Sequence, residues 1–237
     1  MDLKLIYEGK AKKIFETNVP NELLMEFKDS LTAFNAQKKG EFQGKGSVNC
    51  SISTYIFKLL AKHNISHHWI ETHNSNQMVV VKTKIIPLEV VVRNTLAGSL
   101  AKKIGRAEGQ ILNKPLVELY YKDDALADPF VSDDQALEFE WVTLEQLHVM
   151  KAAALKINSI LKPHFILAGL QLIDFKIEFG INSDGQVILA DEISPDCMRL
   201  WDKTTQEKFD KDRFRRDLGN VQEAYQSVLT RLEGIPL

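Results

Sequence analysis

The most constraining feature of this sequence is residues 170–180, where charged and apolar side chains alternate. Successive side chains of a β-strand point to opposite faces, so a strand here places Asp174, Lys176 and Glu178 on one face and apolar side chains on the other. A turn with Asp184-Gly185 follows, which is a strong hairpin signal between two apolar runs. The pattern therefore predicts an antiparallel hairpin at the centre of the fold.

The second strand of this hairpin, residues 187–191, ends in an acidic residue, Asp191. Pairing brings Asp191 close to the three charged residues of the first strand. Burying these carboxylates is costly unless a partner neutralises them, and Mg²⁺ bound to a polyphosphate is such a partner. A solvated face with alternating charges is the alternative. The polar segment 194–199, which contains Pro195 and Arg199, favours an active-site loop at the strand end.

Composition excludes several classes of protein. A chain of 237 residues is long enough for one large domain or two lobes, and a net charge of −2 lacks the basic excess of proteins that bind nucleic acids or membrane surfaces. The sequence has neither a membrane-span pattern nor a signal-peptide pattern. Cys50 and Cys197 lie far apart without metal-ligand spacing, so we expect free thiols in a reducing cytoplasm.

The N-terminal residues 3–28 predict three strands, the first two joined by a turn at Gly9. Lys10 and Lys12 flank this glycine, which suits a hairpin that covers phosphate groups as in kinases. A plain hairpin with a basic tip is the alternative, and this stretch alone favours it.

Residues 31–46 are polar and lack a hydrophobic period, so they predict a long loop. Ser47 is the predicted N-cap of a helix that extends to about residue 63. Four histidines follow without a shared face or a matching carboxylate, and we expect them at the surface: His63, His67, His68 and His73.

Residues 77–84 and 87–94 predict two strands, the second apolar on both faces. The second strand delivers Arg93 at its end, before a turn that contains Ser99. An arginine there can clamp a phosphate or an oxyanion through its guanidinium, and a salt bridge to one of the acids remains an equal alternative. Residues 116–121 predict a short strand, and residues 122–132 an acidic loop in which Asp128 is a candidate for a substrate or metal site.

The last third of the chain predicts mainly helices. Thr143 opens a capping box for a helix that reaches about residue 162. Its predicted buried stripe consists of Leu147, Met150, Ala154, Ile157 and Leu161. Residues 202–237 predict further charged helices, with 211–216 on a solvated face.

Five motifs in this order carry a resemblance to a known family: GKAKKIF, PLEVVVRNTLAGS, LIDFKIEFG, LADEISPDCMRLWD and DKDRFR. The chain resembles the SAICAR synthetase family over nearly its whole length. The resemblance implies an α+β, two-lobed fold with the nucleotide in the cleft. Residues 1–84 would form an antiparallel, kinase-like and ATP-grasp-like lobe that covers the nucleotide. Residues 85–237 would form a larger α/β lobe with the substrate and metal sites.

The same resemblance implies an ATP-dependent carbon–nitrogen ligase of purine biosynthesis. The family joins the carboxylate of phosphoribosyl aminoimidazole carboxylate (CAIR) to the amine of L-aspartate through a carboxyl phosphate, and it releases ADP and phosphate. ATP and Mg²⁺ are the implied cofactors. The implied partners are small-molecule substrates and further copies of the chain, with neither nucleic acid nor membrane.

The roles of individual residues are implied by the resemblance alone. The residues implied in nucleotide binding are Gly9, Lys10, Ala11 and Lys12 over the phosphates, Lys82 and Glu89 near the adenine, and Glu178 and Asp191 as Mg²⁺ ligands. The residues implied in substrate binding are Arg93, Ser99, Asp174, Lys176, Asp196 and Arg199. Among these, the implied catalytic residues are Lys176, Arg93 and Arg199. Asp174 and Asp196 would order the site.

Cys197 and Met198 depart from the family pattern, which usually has a small residue and then Ser or Cys, so a hydroxyl contact at position 198 stays open. Two other classes of protein are alternatives. A small-molecule kinase should carry an HRD-type catalytic loop and a DFG motif, and the sequence has neither. A non-catalytic nucleotide-binding domain should lack charge at the metal positions, whereas Glu178 and Asp191 are present.

Overall fold

The computed structural model describes residues 4–33 and 38–237. In chain order the strands are β1 (Leu5–Glu8), β2 (Lys12–Glu16), β3 (Glu22–Phe27), β4 (Ser30–Ala33), β5 (Lys38–Glu41), β6 (Trp69–Asn74), β7 (Gln77–Val81), β8 (Lys84–Thr95), β9 (Ile111–Tyr121), β10 (Phe130–Val131), β11 (Leu170–Ile181), β12 (Val187–Ala190) and β13 (Met198–Asp202). The helices are α1 (Lys45–Lys62), α2 (Gly98–Lys103), α3 (Asp133–Glu138), α4 (Leu144–Leu167), α5 (Asp212–Arg215) and α6 (Val221–Glu233). Within these residues no helix is both long and apolar enough to cross a membrane.

Two larger sheets organise the chain. The first sheet has the strand order β1-β2-β3-β7-β6, and the second has the order β10-β9-β8-β11-β12 with β13 also paired to β11. Every pair within these sheets is antiparallel. β11 is therefore flanked by β8 on one edge and by β12 and β13 on the other, which confirms the predicted hairpin as the centre of the second sheet.

Two helices build the core around these sheets. α4 packs on β11 and β8, and α1 packs between the first sheet and α6. The predicted stripe of α4 is confirmed, since its five residues Leu147, Met150, Ala154, Ile157 and Leu161 are all buried. The capping box of α4 is also confirmed, because Thr143 and Gln146 exchange side chain to backbone hydrogen bonds. The helix continues past Pro163 to Leu167, five residues beyond the predicted end.

The predicted loop at residues 31–46 is wrong in part. β4 pairs with β5 as a short hairpin, while residues 34–37 of the predicted loop lie outside the described residues. The strands are too short for their alternation to stand out, and Leu31 is the buried apolar contact that orients β4.

Ser47 is not the N-cap of α1. The helix begins at Lys45 after Gly44, and the Ser47 hydroxyl donates to the Gly44 carbonyl at 2.8 Å. The Asp29 carboxylate accepts hydrogen bonds from the amides of Gly44 and Gly46 at 3.0 and 2.8 Å. A distant carboxylate thus satisfies amides that a local serine was expected to satisfy.

Three further predictions need correction. β9 begins at Ile111 rather than residue 116, because it pairs with β8 along most of its length. Residues 202–237 are only partly helical, since Met198–Asp202 is a strand and a turn separates it from the short α5. His68 is buried rather than at the surface, and its Nε2 donates to the Asp191 carbonyl at 2.8 Å.

Candidate active site

The register of the second sheet brings together charged residues that lie far apart in the sequence. Asp174 of β11 lies opposite Arg93 of β8 on one edge and opposite Arg199 of β13 on the other. Glu178 of β11 lies opposite Glu89 of β8. The charged face predicted from the alternation in β11 therefore continues onto the neighbouring strands, because paired residues of adjacent strands point to the same face of a sheet.

Asp174 is the centre of a buried ion-pair cluster. Its carboxylate accepts from Arg93 Nη1 at 2.8 Å and from Arg199 Nη1 at 3.0 Å. Arg93 also donates through Nε to Glu118 at 2.7 Å, and Arg199 through Nε to Asp212 at 3.0 Å. The salt bridge that was the alternative for Arg93 is therefore present. Arg93 nevertheless also lines one of the cavities described below.

Lys176 connects this cluster to a second acidic group. Its ammonium donates to Glu89 at 2.7 Å and to Glu178 at 2.9 Å. Burial alone would lower the pKa of Lys176, but the carboxylates of Glu178, Glu89 and Asp191 hold it well above its usual value. The lysine is therefore a fixed positive charge between two carboxylates that would otherwise repel each other.

Glu178 and Asp191 are both surrounded by lysines. Lys122 donates to Glu178, and Lys12 donates to Asp191 and, at 2.9 Å, to Glu192. Burial alone would raise the pKa values of Glu178 and Asp191, but these ammonium groups and that of Lys176 hold both pKa values below the usual range. Both carboxylates are thus ionised at neutral pH and can accept a cation.

Two adjoining cavities lie over these groups. The arginine cavity, of about 360 Å³, is lined by Arg93, Ser99, Arg199 and Arg215 among others. The hairpin cavity, of about 550 Å³, is lined by residues 9–12 of the first turn together with Lys122, Glu178 and Asp191. Lys176 and Lys211 line both cavities. Both cavities are lined by cationic and acidic side chains, and their shared wall carries the ammonium groups of Lys10, Lys176 and Lys211 together with the carboxylates of Glu89, Asp128 and Asp196.

Known proteins are similar to this chain in sequence and in fold. The SAICAR synthetase family model matches residues 5–232. A phosphoribosylaminoimidazole-succinocarboxamide synthase from Campylobacter jejuni is 54% identical over 230 residues, which cover 97% of this chain and 98% of that protein. The crystal structure of the synthase from Ehrlichia chaffeensis is 45% identical, with a TM-score of 0.95 over 99% of this chain and 100% of that one. This chain belongs to the SAICAR synthetase family.

The SAICAR synthetase family consists of ATP-dependent ligases of purine biosynthesis that join CAIR to L-aspartate. A second solved member, 45% identical with a TM-score of 0.93 over 98% of both chains, is a SAICAR synthetase in complex with ADP. That member therefore binds ADP in a fold that closely matches the fold of this chain.

Most residues that the resemblance to SAICAR synthetases implied lie at the two cavities. The residues that line at least one cavity are Gly9, Lys10, Ala11, Lys12, Glu89, Arg93, Ser99, Asp174, Lys176, Glu178, Asp191, Asp196 and Arg199. Lys82 is exposed and is not among the lining residues of either cavity. Glu89 lies beside Lys176 at the junction of the cavities.

Sequence reasoning missed three cationic residues that line the two cavities: Lys122, Lys211 and Arg215. Lys122 was placed in an acidic loop, whereas Lys211 and Arg215 were placed on a solvated helical face. Asp212 and Arg213 of that segment are buried, because α5 folds back on Arg199. The alternation of acidic and basic residues in DKDRFR was the available signal, and it is equally typical of an exposed helix.

The guanidinium of Arg199 lies in the space that a side chain at Gly98 would occupy, and replacement of Gly98 by alanine tests the importance of this close approach. Gly98 has a φ of +62°, and a Cβ there would lie 2.7 Å from Arg199 Cζ. We expect Gly98→Ala to displace the guanidinium and to raise the KM for CAIR by about tenfold, beyond the roughly 1 kcal/mol of stability lost to backbone strain. Steady-state kinetics with CAIR varied measure this effect.

Gly105→Ala is the matched control, because Gly105 has a φ of +65° and no atom within 4 Å of a Cβ. It carries the same backbone strain without the collision. Equal KM values for CAIR in the two variants would contradict the proposed contact.

Proposed function

We propose that this chain catalyses the family reaction at the junction of its two cavities, with ATP in the hairpin cavity and CAIR in the arginine cavity. The observation that carries the proposal is that Lys176 lines both cavities and is held by Glu89 and Glu178. A cation at that junction lies where a phosphoryl group would pass from one substrate to the other. Phosphoryl transfer needs positioning and charge neutralisation more than covalent chemistry from the protein.

Residues 1–84 are proposed as the lobe that covers the nucleotide, and residues 85–237 as the lobe that holds substrate and metal. The first turn supports this division, since residues 9–12 line the hairpin cavity opposite Glu178 and Asp191. Lys10 and Lys12 bring two ammonium groups, while the backbone around Gly9 can approach a phosphate closely. Lys122 adds a third ammonium group on the opposite side.

The donor set of Glu178 and Asp191 fits Mg²⁺. Both are ionised carboxylates, which are hard oxygen ligands, and no cluster of three or more metal-ligating side chains occurs in residues 4–33 and 38–237. Mg²⁺ with few protein ligands completes its shell with water and phosphate oxygens, so a two-carboxylate set suits a metal that arrives with ATP. When bound, Mg²⁺ supplies charge neutralisation to the phosphates.

The arginine cavity is proposed to hold the ribose phosphate and the carboxylate of CAIR. Arg93 and Arg199 present guanidinium groups, and Asp174 orients both of them. Lys211 adds an ammonium group that has no side-chain hydrogen bond or salt bridge to another described residue. A half-buried ammonium group in the same cavity as two guanidinium groups supports binding of a substrate with several negative charges.

The order of bond changes follows from carboxylate chemistry. A carboxylate is a poor electrophile, so its oxygen first attacks the γ-phosphorus of ATP, and the bond between that phosphorus and the bridging oxygen of ADP breaks. The amine of L-aspartate then attacks the carboxyl phosphate and loses a proton, and phosphate leaves as the amide forms. Lys176, Arg93 and Arg199 stabilise the charge on the oxygens that these steps move.

Location and assembly are part of the same proposal. Cys50 and Cys197 are free thiols, which supports a reducing compartment such as the cytoplasm. A homo-oligomer is proposed from the family, and two exposed apolar side chains on the edge strand β1 support it: Leu5 and Ile6.

The test is ADP release from ATP and Mg²⁺ with CAIR and L-aspartate each omitted in turn, while absorbance follows the succinocarboxamide product. We expect product only when all substrates are present. ADP release that is indifferent to L-aspartate would indicate a kinase or an ATPase and would overturn the ligase assignment.

A further inference from the structure

We propose that Lys45 is a positioning residue. Because Lys45 forms a salt bridge with Asp196, Lys211 stays unpaired and available to an anionic substrate. The inference rests on the proposed function only for the identity of that substrate. It concerns three elements that meet beneath the wall between the two cavities: the start of α1, the loop before β13, and α6.

Asp196 is held by side chains from two helices. Its Oδ2 is 2.5 Å from the Lys45 ammonium and accepts from Asn49 at 3.0 Å, and its Oδ1 accepts from the Tyr225 hydroxyl at 2.8 Å. Burial alone would raise the pKa of Asp196, but Lys45 and then Lys211 hold that pKa below its usual value. Both carboxylate oxygens are therefore engaged on the side that faces the helices.

Lys45 occupies an unusual place for a lysine. It is 1% exposed and lies in the first turn of α1, where the helix dipole disfavours a positive charge. No residue of that turn is acidic, and the carboxylate at the helix start, Asp29, accepts from the amides of Gly44 and Gly46. Its salt-bridge partner within the described residues is Asp196. A fully buried cation in such a position is stabilised by its salt bridge to Asp196 rather than by the helix.

Lys211 is the other cation within electrostatic range of Asp196. Its backbone amide donates to the Pro195 carbonyl at 3.3 Å, which keeps it next to the Asp196 loop. Burial lowers the pKa of Lys211. The charge of Asp196 raises this pKa, whereas the charges of Arg215 and Lys45 lower it further. Its ammonium group faces both cavities without a side-chain partner among the described residues.

The two lysines therefore compete for one carboxylate. Because Lys45 of α1 already neutralises Asp196, a second salt bridge from Lys211 would add little stabilisation, and Lys211 remains free for a ligand. Without Lys45, Asp196 would be a buried, uncompensated charge, and Lys211 is a cation placed next to the Asp196 loop whose charge already acts on this carboxylate. The ammonium group would then leave the cavity wall.

Lys45→Met tests this competition by two measurements. Acetylation of Lys211 by acetic anhydride, followed by peptide mass spectrometry and normalised to exposed Lys103, is expected to slow by about tenfold, since pairing and a higher pKa both reduce the free amine. This measurement uses no substrate, so its result does not depend on the proposed function. In the ligase assay the KM of at least one anionic substrate should rise about tenfold, since Lys211 lines both cavities.

The double variant Lys45→Met with Asp196→Asn distinguishes positioning from a packing defect. It removes the carboxylate that would capture Lys211, so acetylation of Lys211 should return to within about twofold of the wild type. If Lys45→Met does not fold, Tyr225→Phe frees Oδ1 of Asp196 and should slow acetylation of Lys211 by about threefold. Tyr55→Phe, which loses part-buried hydroxyl contacts to His164 and Ile235 at 2.7 and 2.9 Å, is its control.

The proposal is overturned if Lys211 in the single variants reacts as fast as in the wild type. It is equally overturned if the double variant is as slow as Lys45→Met, because the loss would then come from packing. Lys151→Met, which breaks the remote salt bridge to Asp133, should leave both measurements unchanged.

Discussion

Replacing Glu178 with glutamine is expected to lower kcat by about a hundredfold or more while the protein stays folded. Glu178 is 2% exposed and accepts hydrogen bonds from Lys176 and Lys122. Glutamine has nearly the same shape, but it cannot neutralise these ammonium groups or bind a cation with a formal charge. Losing one preorganised electrostatic contact at a reaction centre typically costs about 10²- to 10³-fold in rate.

The measurements are kcat over a range of Mg²⁺ concentrations and calorimetric titration of ADP in the presence of Mg²⁺. We expect weaker binding of ADP with Mg²⁺ and little change without the metal, since Glu178 is assigned to the cation. Glu16→Gln, which removes only the exposed pair with Lys4, is the control. Turnover near the wild-type level at moderate Mg²⁺ would refute the metal assignment of Glu178.

The second large effect is expected for Arg199→Ala, which should raise the KM for CAIR by about a hundredfold. Arg199 lines the arginine cavity, and a charge-assisted contact to a phosphate or carboxylate contributes about 1.5–3 kcal/mol, while truncation of a buried charged partner costs about 2–5 kcal/mol. The KM for ATP should change by less than about threefold, because Arg199 does not line the hairpin cavity.

The fold should survive this substitution. Asp174 keeps Arg93 at 2.8 Å and Asp212 keeps Arg215 at 2.7 Å, so neither carboxylate is left without a cation. Thermal denaturation checks this point, and Arg199→Lys separates the charge from the fork-shaped geometry of the guanidinium. A rise in the KM for ATP with an unchanged KM for CAIR would move Arg199 to the nucleotide.

The central hairpin was predictable because its signal is local. Alternation in β11 depends only on the two-residue period of a strand, and the Asp184-Gly185 turn depends only on backbone preferences of residues near each other in the chain. The capping box at Thr143 is local for the same reason. Predictions of this kind were confirmed with boundaries shifted by a few residues.

Predictions failed where a distant residue decided the local structure. Ser47 had the chemistry of an N-cap, but Asp29 took that role from another element. His68 had no partner in the sequence around it, yet it is buried against the carbonyl of Asp191. Lys211 follows the pattern of a solvated helix, and only the folding of α5 onto Arg199 brings it to the cavities.

The sequence alone determined the central strand, the charged residues it carries and, through its motifs, the family. Those follow from periodicity, turn preferences and residue order, which are properties of a linear chain. The tertiary structure decided which cation meets which carboxylate. Asp174 pairs with Arg93 and Arg199, Lys176 with Glu89 and Glu178, and Lys45 with Asp196. Coulomb energies depend on separations in space, and these separations are set by strand register and helix packing across the whole chain.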